Sequence, residues 1–543
     1  MKEKQKHFKL IIPDEGVQVY MPRQTQSFGY RYGPTIQCND GIAEAWFASP
    51  GDCFEADWFT YRRSEDGGKT WSYEKVVMAP TPDSMDWYSV CDPALFKYGE
   101  YYYMGYTSTV FADGGGVGNN GFVGRSKSPT GPFEKWTGTG WGEHRTVNGK
   151  TLHWIGNPAP IVYFDENWRE WGAGEFSFVV KDDVLYIYYT WTTHDTDGCF
   201  SSTTRVAVAD ITREDWPNTI EYKGVAVDRP RTGNDSYDVV FCDDLNKFVA
   251  LSTDRRFKED SFLAVYESDD GLRFKRVNEI KVNTSFMCHN CGMSGDYHHH
   301  IKSGDLMLLG YAYGNKWGKW GTRIHRYDFA LMDEDFYSEK ELDNVKQDSS
   351  LWEREENMER SYLTMVKPHF LRLHIGESAK PNFVFYNVCY EKEPAENVSF
   401  SNYDDTVISI EDGVVTGLKE GYSYITVSQD GFMCEILVYV HKADVIFNDP
   451  NKKAVEFVPM QTRYVPTLSG KELKQIRGMA RYSDGTKKEI CEAVDRVSYE
   501  NSNPDVITVN ENGLIYPVGV AGSAVVKVMC DGLCFDVEVE VVE

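Results

Sequence analysis

Five times in its first ~345 residues the chain repeats one unit, and this repeat constrains the fold more than any other feature. Each copy opens on a strand carrying a turn or acidic residue, passes a tight turn of the Asp-Gly kind, and returns as a tyrosine-rich strand. The copies are YGPTIQCNDGIAEAWFASPG, DPALFKYGEYYYMGYTST, GEFSFVVKDDVLYIYYTWT, YDVVFCDDLNKFVALSTD and SGDYHHHIKSGDLMLLGYAYG, starting at Tyr32, Asp92, Gly174, Tyr237 and Ser294. A hairpin of this kind cannot bury both faces alone. Repetition at a period of about 55–85 residues therefore predicts a β-propeller, and five units predict five blades. Helical periodicity is nearly absent, and only Ser338 to Met358 reads as a charged, helical segment. Two outer turns, SEDGGKTW (Ser64 to Trp71) and SDDGLRF (Ser268 to Phe274), place an Asp to tie the turn and an aromatic ring to pack behind it. They read as folding devices.

A second texture begins near Arg360. Val398 to Val440 and Val497 to Val542 are two copies of one pattern of short alternating strands, Asp-x-Val-Ile, then a Gly turn, then Gly-x-x-x-(Ile/Val)-x-Val. The pattern predicts tandem β-sandwiches and resembles the bacterial immunoglobulin-like group 2 family. The expected plan is all-β: a five-bladed propeller over 1–340, a linker of helical character over 341–360, and immunoglobulin-like sandwiches over 361–442 and 443–543. Neither sandwich gathers His, Cys or carboxylates, so the chemistry is expected in the propeller.

Lys plus Arg number 57 against 83 Asp plus Glu, a net charge of −26. That balance excludes a sizeable nucleic-acid footprint and electrostatic docking on anionic lipid. No run of 18 apolar residues occurs, which excludes a helical membrane span. The N-terminus lacks the apolar stretch of a signal peptide, so the chain as written reads as cytoplasmic, and as secreted or cell-surface if a leader has been removed. Its 12 cysteines are scattered and read as reduced, buried thiols. The lone C-x-x-C at Cys288 and Cys291 is too little for a zinc site.

The innermost strand of each blade lines the central funnel, so residues at the starts of those strands face a ligand. Three carry acids: Asp92 in CDPALF, Glu175 in AGEFSFVV and Asp238 in SYDVVF. Glycosidic cleavage needs one carboxyl kept protonated as acid and another ionised as base or nucleophile. A third nearby can raise the acid's pKa by like-charge repulsion. Asp57 beside Trp58, in FEADWF, is a further acid next to a stacking ring, with Glu55 close by. Trp58, Trp154 and Trp191 are the candidate sugar platforms.

These motifs resemble the five-bladed glycoside hydrolases of families 43, 62, 32 and 117. The carriers are DPALFKYGEYYYMGYTS, GEFSFVVKDDVLYIYYT and GPFEKW, over residues ~25–335. The resemblance implies a Glu acid at Glu175, an Asp of the Asp-Pro type at Asp92, and no required cofactor, with a structural or axial Ca2+ as the one cation it admits. It departs at the first blade, where YRYGPTIQ carries no acid. Asp92 is then base or modulator, and Asp238 or Asp57 takes the other part. YRYGP and the Asp-x-Gly turn also resemble sialidases, which implies Arg31 as a carboxylate-binding arginine and Tyr237 as nucleophile. In the fifth unit, alternation sends His298 and His300 one way and His299 the other, toward substrate hydroxyls or a cation.

The expected function is hydrolysis of a glycosidic bond in a plant, algal or host oligo- or polysaccharide. The separation of the two working carboxyls distinguishes inversion (~6.5–9.5 Å) from retention (~5–5.5 Å). Alternatives are a sialidase-like exo-glycosidase, a non-catalytic carbohydrate-binding propeller, and a phosphorylase using Arg255 and Arg256 for phosphate.

Overall fold

Strands here are buried on both faces, because each sheet packs against a neighbour on either side. In the inner strand Cys91–Tyr98, Ala94, Leu95 and Phe96 are all buried, which an alternating, one-sided strand would not tolerate. The computed structural model describes residues 6–542, apart from 23–28, 52–55, 73, 82–85, 87, 109–117, 143–145, 148–149, 152–157, 165–169, 195–199, 229–236, 286, 317, 333–359, 366–369, 388–391, 442–452, 467, 469–473, 484–486, 492–494 and 511–512. Glu55, Trp154 and the segment read as helical, Ser338 to Met358, lie outside the described residues.

The N-terminal part forms five four-stranded antiparallel sheets. Blade I runs from inner to outer strand as Tyr32–Asn39, Ile42–Pro50, Asp57–Ser64 and Lys75–Met78. Blade II is Cys91–Tyr98, Tyr101–Ser108, Asn120–Ser126 and Glu134–Lys135. Blade III is Gly172–Lys181, Val184–His194, Phe200–Asp210 and Glu221–Asp228. Blade IV is Tyr237–Cys242, Lys247–Asp254, Phe262–Ser268 and Lys275–Ile280. Blade V is Cys288–Gly295, Leu308–Lys316 and Lys319–Arg326, completed on its outer edge by the N-terminal strand Val17–Tyr20. Each inner strand contacts the next around the ring, and that of blade V returns to blade I, where Ser294 and Gly295 pair in parallel with Ile36 and Gln37. The ring closes as a five-bladed propeller. Blades interlock through side chains: a Cβ at Gly105 of blade II would stand 2.3 Å from the Phe178 ring of blade III, and one at Gly121 2.2 Å from Phe176. Blade II thus gives up two side chains so that two buried phenylalanines, each stabilising by about 2–3 kcal/mol, can seat.

The two outer turns behave as folding devices. Ser64 Oγ accepts from Gly68 N (2.9 Å) and donates to Asp66 Oδ1 (2.8 Å), and Trp71 Nε1 donates to Gly68 O (3.1 Å). Ser268 repeats the arrangement in blade IV, with Gly271 N at 3.0 Å and Asp270 Oδ1 at 3.0 Å.

The fifth unit starts earlier than its sequence repeat predicts. Blade V's inner strand begins at Cys288, not Ser294, and His298 to His300 belong to the connection after it. That connection crosses the channel end where the inner strands finish. Tyr297 O accepts from Lys97 N of blade II (2.8 Å), His298 O from Val180 N of blade III (3.1 Å) and His299 O from Phe241 N of blade IV (2.8 Å). It closes the floor of the funnel, leaving the end where the inner strands begin as the mouth.

Beyond Arg360 the chain forms two β-sandwich modules with one topology. Each has a three-, a four- and a three-stranded sheet, with the strands following in the same order. In both, an early strand pairs in parallel with the last (Phe370–His374 with Phe432–His441, Arg463–Tyr464 with Leu533–Val541). Their cores are aliphatic, built on Ile425, Val427, Val438 and Val440 in the first and Val526, Val528, Val537 and Val539 in the second. Among the described residues no helix is long and apolar enough to cross a membrane.

Candidate active site

Four of the five inner strands break register with their hairpin partner at the mouth: between Tyr32 and Thr35, Cys91 and Ala94, Gly174 and Ser177, and His289 and Cys291. Each bulge contains one residue of positive φ, namely Gly33 (56°), Asp92 (53°), Glu175 (53°) and Asn290 (35°). Asp40, Asp182, Asp183, Asn246, Asp412, Asp430 and Asp531 also have positive φ, but they occupy hairpin turns, where Asp and Asn are at home. Asp92 and Glu175 instead hold the left-handed conformation inside strands. That costs on the order of 1–2 kcal/mol each and lasts only where the surroundings impose it, as functional sites do.

One residue braces both bulges. Thr107, on the second strand of blade II, accepts a hydrogen bond from Glu175 N through Oγ1 (2.7 Å) and from the Cys91 thiol through its carbonyl (3.3 Å). A Cβ on Gly174 would lie 2.3 Å from Thr107 Oγ1, so blades II and III meet here without a spacer. Burial, and then the charges of the neighbouring Asp92 and Asp57 carboxylates, push the Cys91 thiol well up. Asp92 leans toward blade I, where a Cβ on Gly33 would stand 3.7 Å from Asp92 Oδ1.

Asp238 departs from the predicted equivalence. Its strand, Tyr237–Cys242, keeps register and has no positive φ, and Asp238 lies level with Ser177, two residues inward of Glu175. Its Oδ1 accepts from Ser177 Oγ (2.7 Å) and Val239 N (3.1 Å), and its Oδ2 from Met293 N (2.6 Å). One carboxylate thus joins blades III, IV and V on the axis. Burial pushes its pKa up, while His299, Ser177 and the two amides pull against that.

The predicted substrate contacts fare differently from one another. Arg31 is fully buried, its Nε 2.6 Å from Glu74 Oε2 and its guanidinium over the Tyr20 ring. Trp58 is buried, 3% exposed. Trp191 has Arg205 3.8 Å above its ring centroid and Phe164 at 4.8 Å, which covers the face a sugar would need. Tyr237 is a core residue whose hydroxyl donates to Tyr266 Oη (3.3 Å). Large apolar rings and a buried cation go to the core first, and the repeat spacing alone cannot tell them from a mouth residue. His299 is buried beneath Asp238, 4.0 Å from its Oδ1; its Nδ1 faces Val239 O at 3.1 Å, and its Nε2 has no hydrogen-bonding partner among the described residues. A calcium ion seeks six to eight oxygen ligands. On this axis it would find one carboxylate whose oxygens are both already bonded. No group of three His, Cys, Asp or Glu among the described residues could hold a metal. Cys288 and Cys291 are buried in the core of blade V, with the Cys288 thiol pushed up to about 12.

Asp57 does reach the mouth. It opens the third strand of blade I, its carbonyl accepts from Val90 N (3.1 Å), and its carboxyl accepts from Tyr30 Oη (2.7 Å). Burial pushes that carboxyl up to about 7 against the pull of the Tyr30 phenol. An aromatic wall that no sequence motif predicts stands beside it: Tyr32 and Phe257 each pack on His289 and Trp320, with ring centroids 4.6–5.8 Å apart. These come from three blades, so no local motif announces them. Arg255 stands on the same side, paired with Asp260 at 2.6 Å.

The fold and site define an all-β propeller with an acid-bearing mouth and a closed floor. No protein-family model matches the chain, and no curated protein is similar to it in sequence. Among solved structures it is similar to Zg3597, a family 117 glycoside hydrolase of the marine bacterium Zobellia galactanivorans (TM-score 0.42, 14% identity, covering 64% of this chain and 97% of that one). It is also similar to a thermostable family-43 glycoside hydrolase (0.39, 14%, 58% and 95%). A third is the α-L-arabinofuranosidase PaAbf62A of Podospora anserina, in complex with cellotriose (0.40, 11%, 58% and 98%).

Proposed function

We propose that the propeller hydrolyses a glycosidic bond in an oligo- or polysaccharide, with Glu175 as general acid and Asp92 as the second carboxyl at the mouth. One observation carries this reading: two acids of adjacent blades sit on matching left-handed bulges braced by Thr107, in a funnel closed below. Glu175 would protonate the leaving oxygen. Asp92 would orient the sugar and tune the acid by its charge. Asp238, bonded at both oxygens, would hold the axis rather than react. The acidic chain suits a neutral glycan better than an anionic one.

A binding propeller without catalysis is the second reading, and Gly33 favours it: the matching bulge of blade I, where a third acid would complete the set, is empty of one. Hydrolysis of a panel of para-nitrophenyl glycosides and plant and algal polysaccharides, wild type beside Glu175→Gln, separates the two. Loss of activity in a folded variant supports the hydrolase and names its sugar. A wild type that binds a glycan and cuts none supports the second reading, and cleavage unchanged by Glu175→Gln removes Glu175 as the acid.

A further inference from the structure

We infer that Thr107 is a positioning residue for the general acid: its hydroxyl oxygen fixes where the Glu175 carboxyl stands, and without it the acid misses the leaving oxygen. This rests on the hydrolase reading above. Hairpin pairing puts three second-strand residues at one register, level with the start of a bulge. They are Ala48 opposite Tyr32, Thr107 opposite Cys91, and Thr190 opposite Gly174. Ala48 packs with Cys91 in the core between blades I and II, but it has no oxygen to offer the bulge of Asp92. Thr190 has the hydroxyl, yet the inner strand of blade IV keeps register, and Thr190 Oγ1 has no hydrogen-bonding partner among the described residues. A hydroxyl at this register is therefore not what holds one blade to the next. The hydroxyl of Thr107 has a partner because the bulge of blade III turns Glu175 N toward it.

The contact is tight. Thr107 is 1% exposed, and its Oγ1 accepts from Glu175 N at 2.7 Å. A Cβ on Gly174 would stand 2.3 Å from that Oγ1 and 2.4 Å from Cγ2, so the threonine lies directly on the backbone before Glu175. Glu175 holds φ 53° inside a strand, a conformation that its surroundings must impose. The bond to Thr107 is the part of those surroundings that comes from a neighbouring blade. The carbonyl of the same threonine accepts from the Cys91 thiol at 3.3 Å, one residue before Asp92. Thr107 thus ties the bulge of the acid to the bulge of the second carboxyl. A general acid must stand within hydrogen-bond reach of the leaving oxygen, and a displacement of about 1 Å can cost about 10²-fold. Buried as it is, Thr107 acts through Glu175 and takes no part in bond making.

The test compares Thr107→Val, Thr107→Ala and Thr107→Ser with wild type on two substrates. One is the best glycan of the panel, and the other is the dinitrophenyl glycoside of the saccharide its cleavage yields. Dinitrophenolate departs without a proton and a sugar hydroxyl needs one, so a misplaced acid slows only the glycan. Valine keeps the shape of threonine and removes the acceptor, whereas serine keeps the acceptor. Thr107→Val should lose about 10²-fold in kcat on the glycan with KM within about threefold, and should cut the dinitrophenyl glycoside at nearly the wild-type rate. Thr107→Ser should recover most of the loss. Equal losses on both substrates, or a serine variant as slow as the valine one, overturn the positioning role. If Thr107→Val does not fold, Thr107→Ala removes the acceptor with nothing in its place and decides the matter. A wild type that cuts neither substrate defeats the hydrolase reading itself, whereas an active one indifferent to Thr107→Val defeats only the role of Thr107.

Discussion

The mouth and the floor of this channel are made of the same residue types and put them to opposite uses. At the floor, Asp238 accepts three hydrogen bonds from three blades, and the 297–299 backbone stitches blades II, III and IV together. At the mouth, Asp92 and Glu175 are lifted on strained bulges, and Asp57 is held where burial keeps its carboxyl up to about 7. An acid near the axis is therefore not functional by being near the axis. What the backbone does at its position decides: a strand in register delivers the carboxylate to neighbouring amides, and a bulge turns it away from them.

Substitutions can break that contrast in either direction. Glu175→Gln keeps the shape of the side chain and removes its proton, so activity on the best glycan should fall 10²- to 10⁴-fold, about 3–5 kcal/mol at the transition state, with Tm unmoved. If Tm drops and the residual rate does not, Glu175 belongs with the floor. Asp57 gives the next effect. Its folded pKa lies above its unfolded value, so folding is most favoured while both states are protonated, below pH ~4. Stability is lost as pH rises toward 7 and then levels off. The loss is at most about 4 kcal/mol, since each pKa unit corresponds to about 1.4 kcal/mol. Urea unfolding between pH 4 and 8 should show this slope in wild type and not in Asp57→Asn; parallel curves would mean the carboxyl is solvated. Asp238→Ala should do the reverse of Glu175→Gln. It strands the Met293 amide and takes the best acceptor from the Ser177 hydroxyl, while Val239 N keeps Ser177 Oγ, costing about 2 kcal/mol of stability, which calorimetry would register as a lowered Tm. An unchanged Tm would return Asp238 to the reacting groups.

The fold was legible because its cause is repetitive: five tyrosine-rich hairpins, and two copies of the sandwich pattern, leave few arrangements that bury both faces of each sheet. The site was legible only in part. Asp92 and Glu175 could be found because Asp-Pro and Gly-Glu open their strands, but nothing in YDVVF distinguishes a strand in register from a bulged one, so Asp238 looked like their equal. Residue type alone points Trp58, Trp191, Arg31 and Tyr237 to the funnel, whereas all four are buried. The wall of Tyr32, Phe257, His289 and Trp320 spans some 290 residues of sequence and exists only once the ring closes.

The smallest effect sharpens the contrast from outside it. Ser64 is 1% exposed and lies far along its strand from Asp57. Ser64→Ala removes the acceptor for Gly68 N and a donor to Asp66, about 1 kcal/mol of folding stability. Asp66 itself is held down to about 2 by its turn bonds, first those from Thr70. Its contribution is complete above pH ~4 and disappears as pH falls toward 2, so acid should weaken the turn in wild type. Since Ser268 ties the same turn in blade IV, Ser268→Ala should match Ser64→Ala, and the double variant should lose the sum, because the two sites share no partner. Neither should alter kcat/KM. A change in rate from either turn would mean that the outer edge of a blade reaches its mouth, and that the division between acids that hold the ring and acids that react is not drawn along the channel alone.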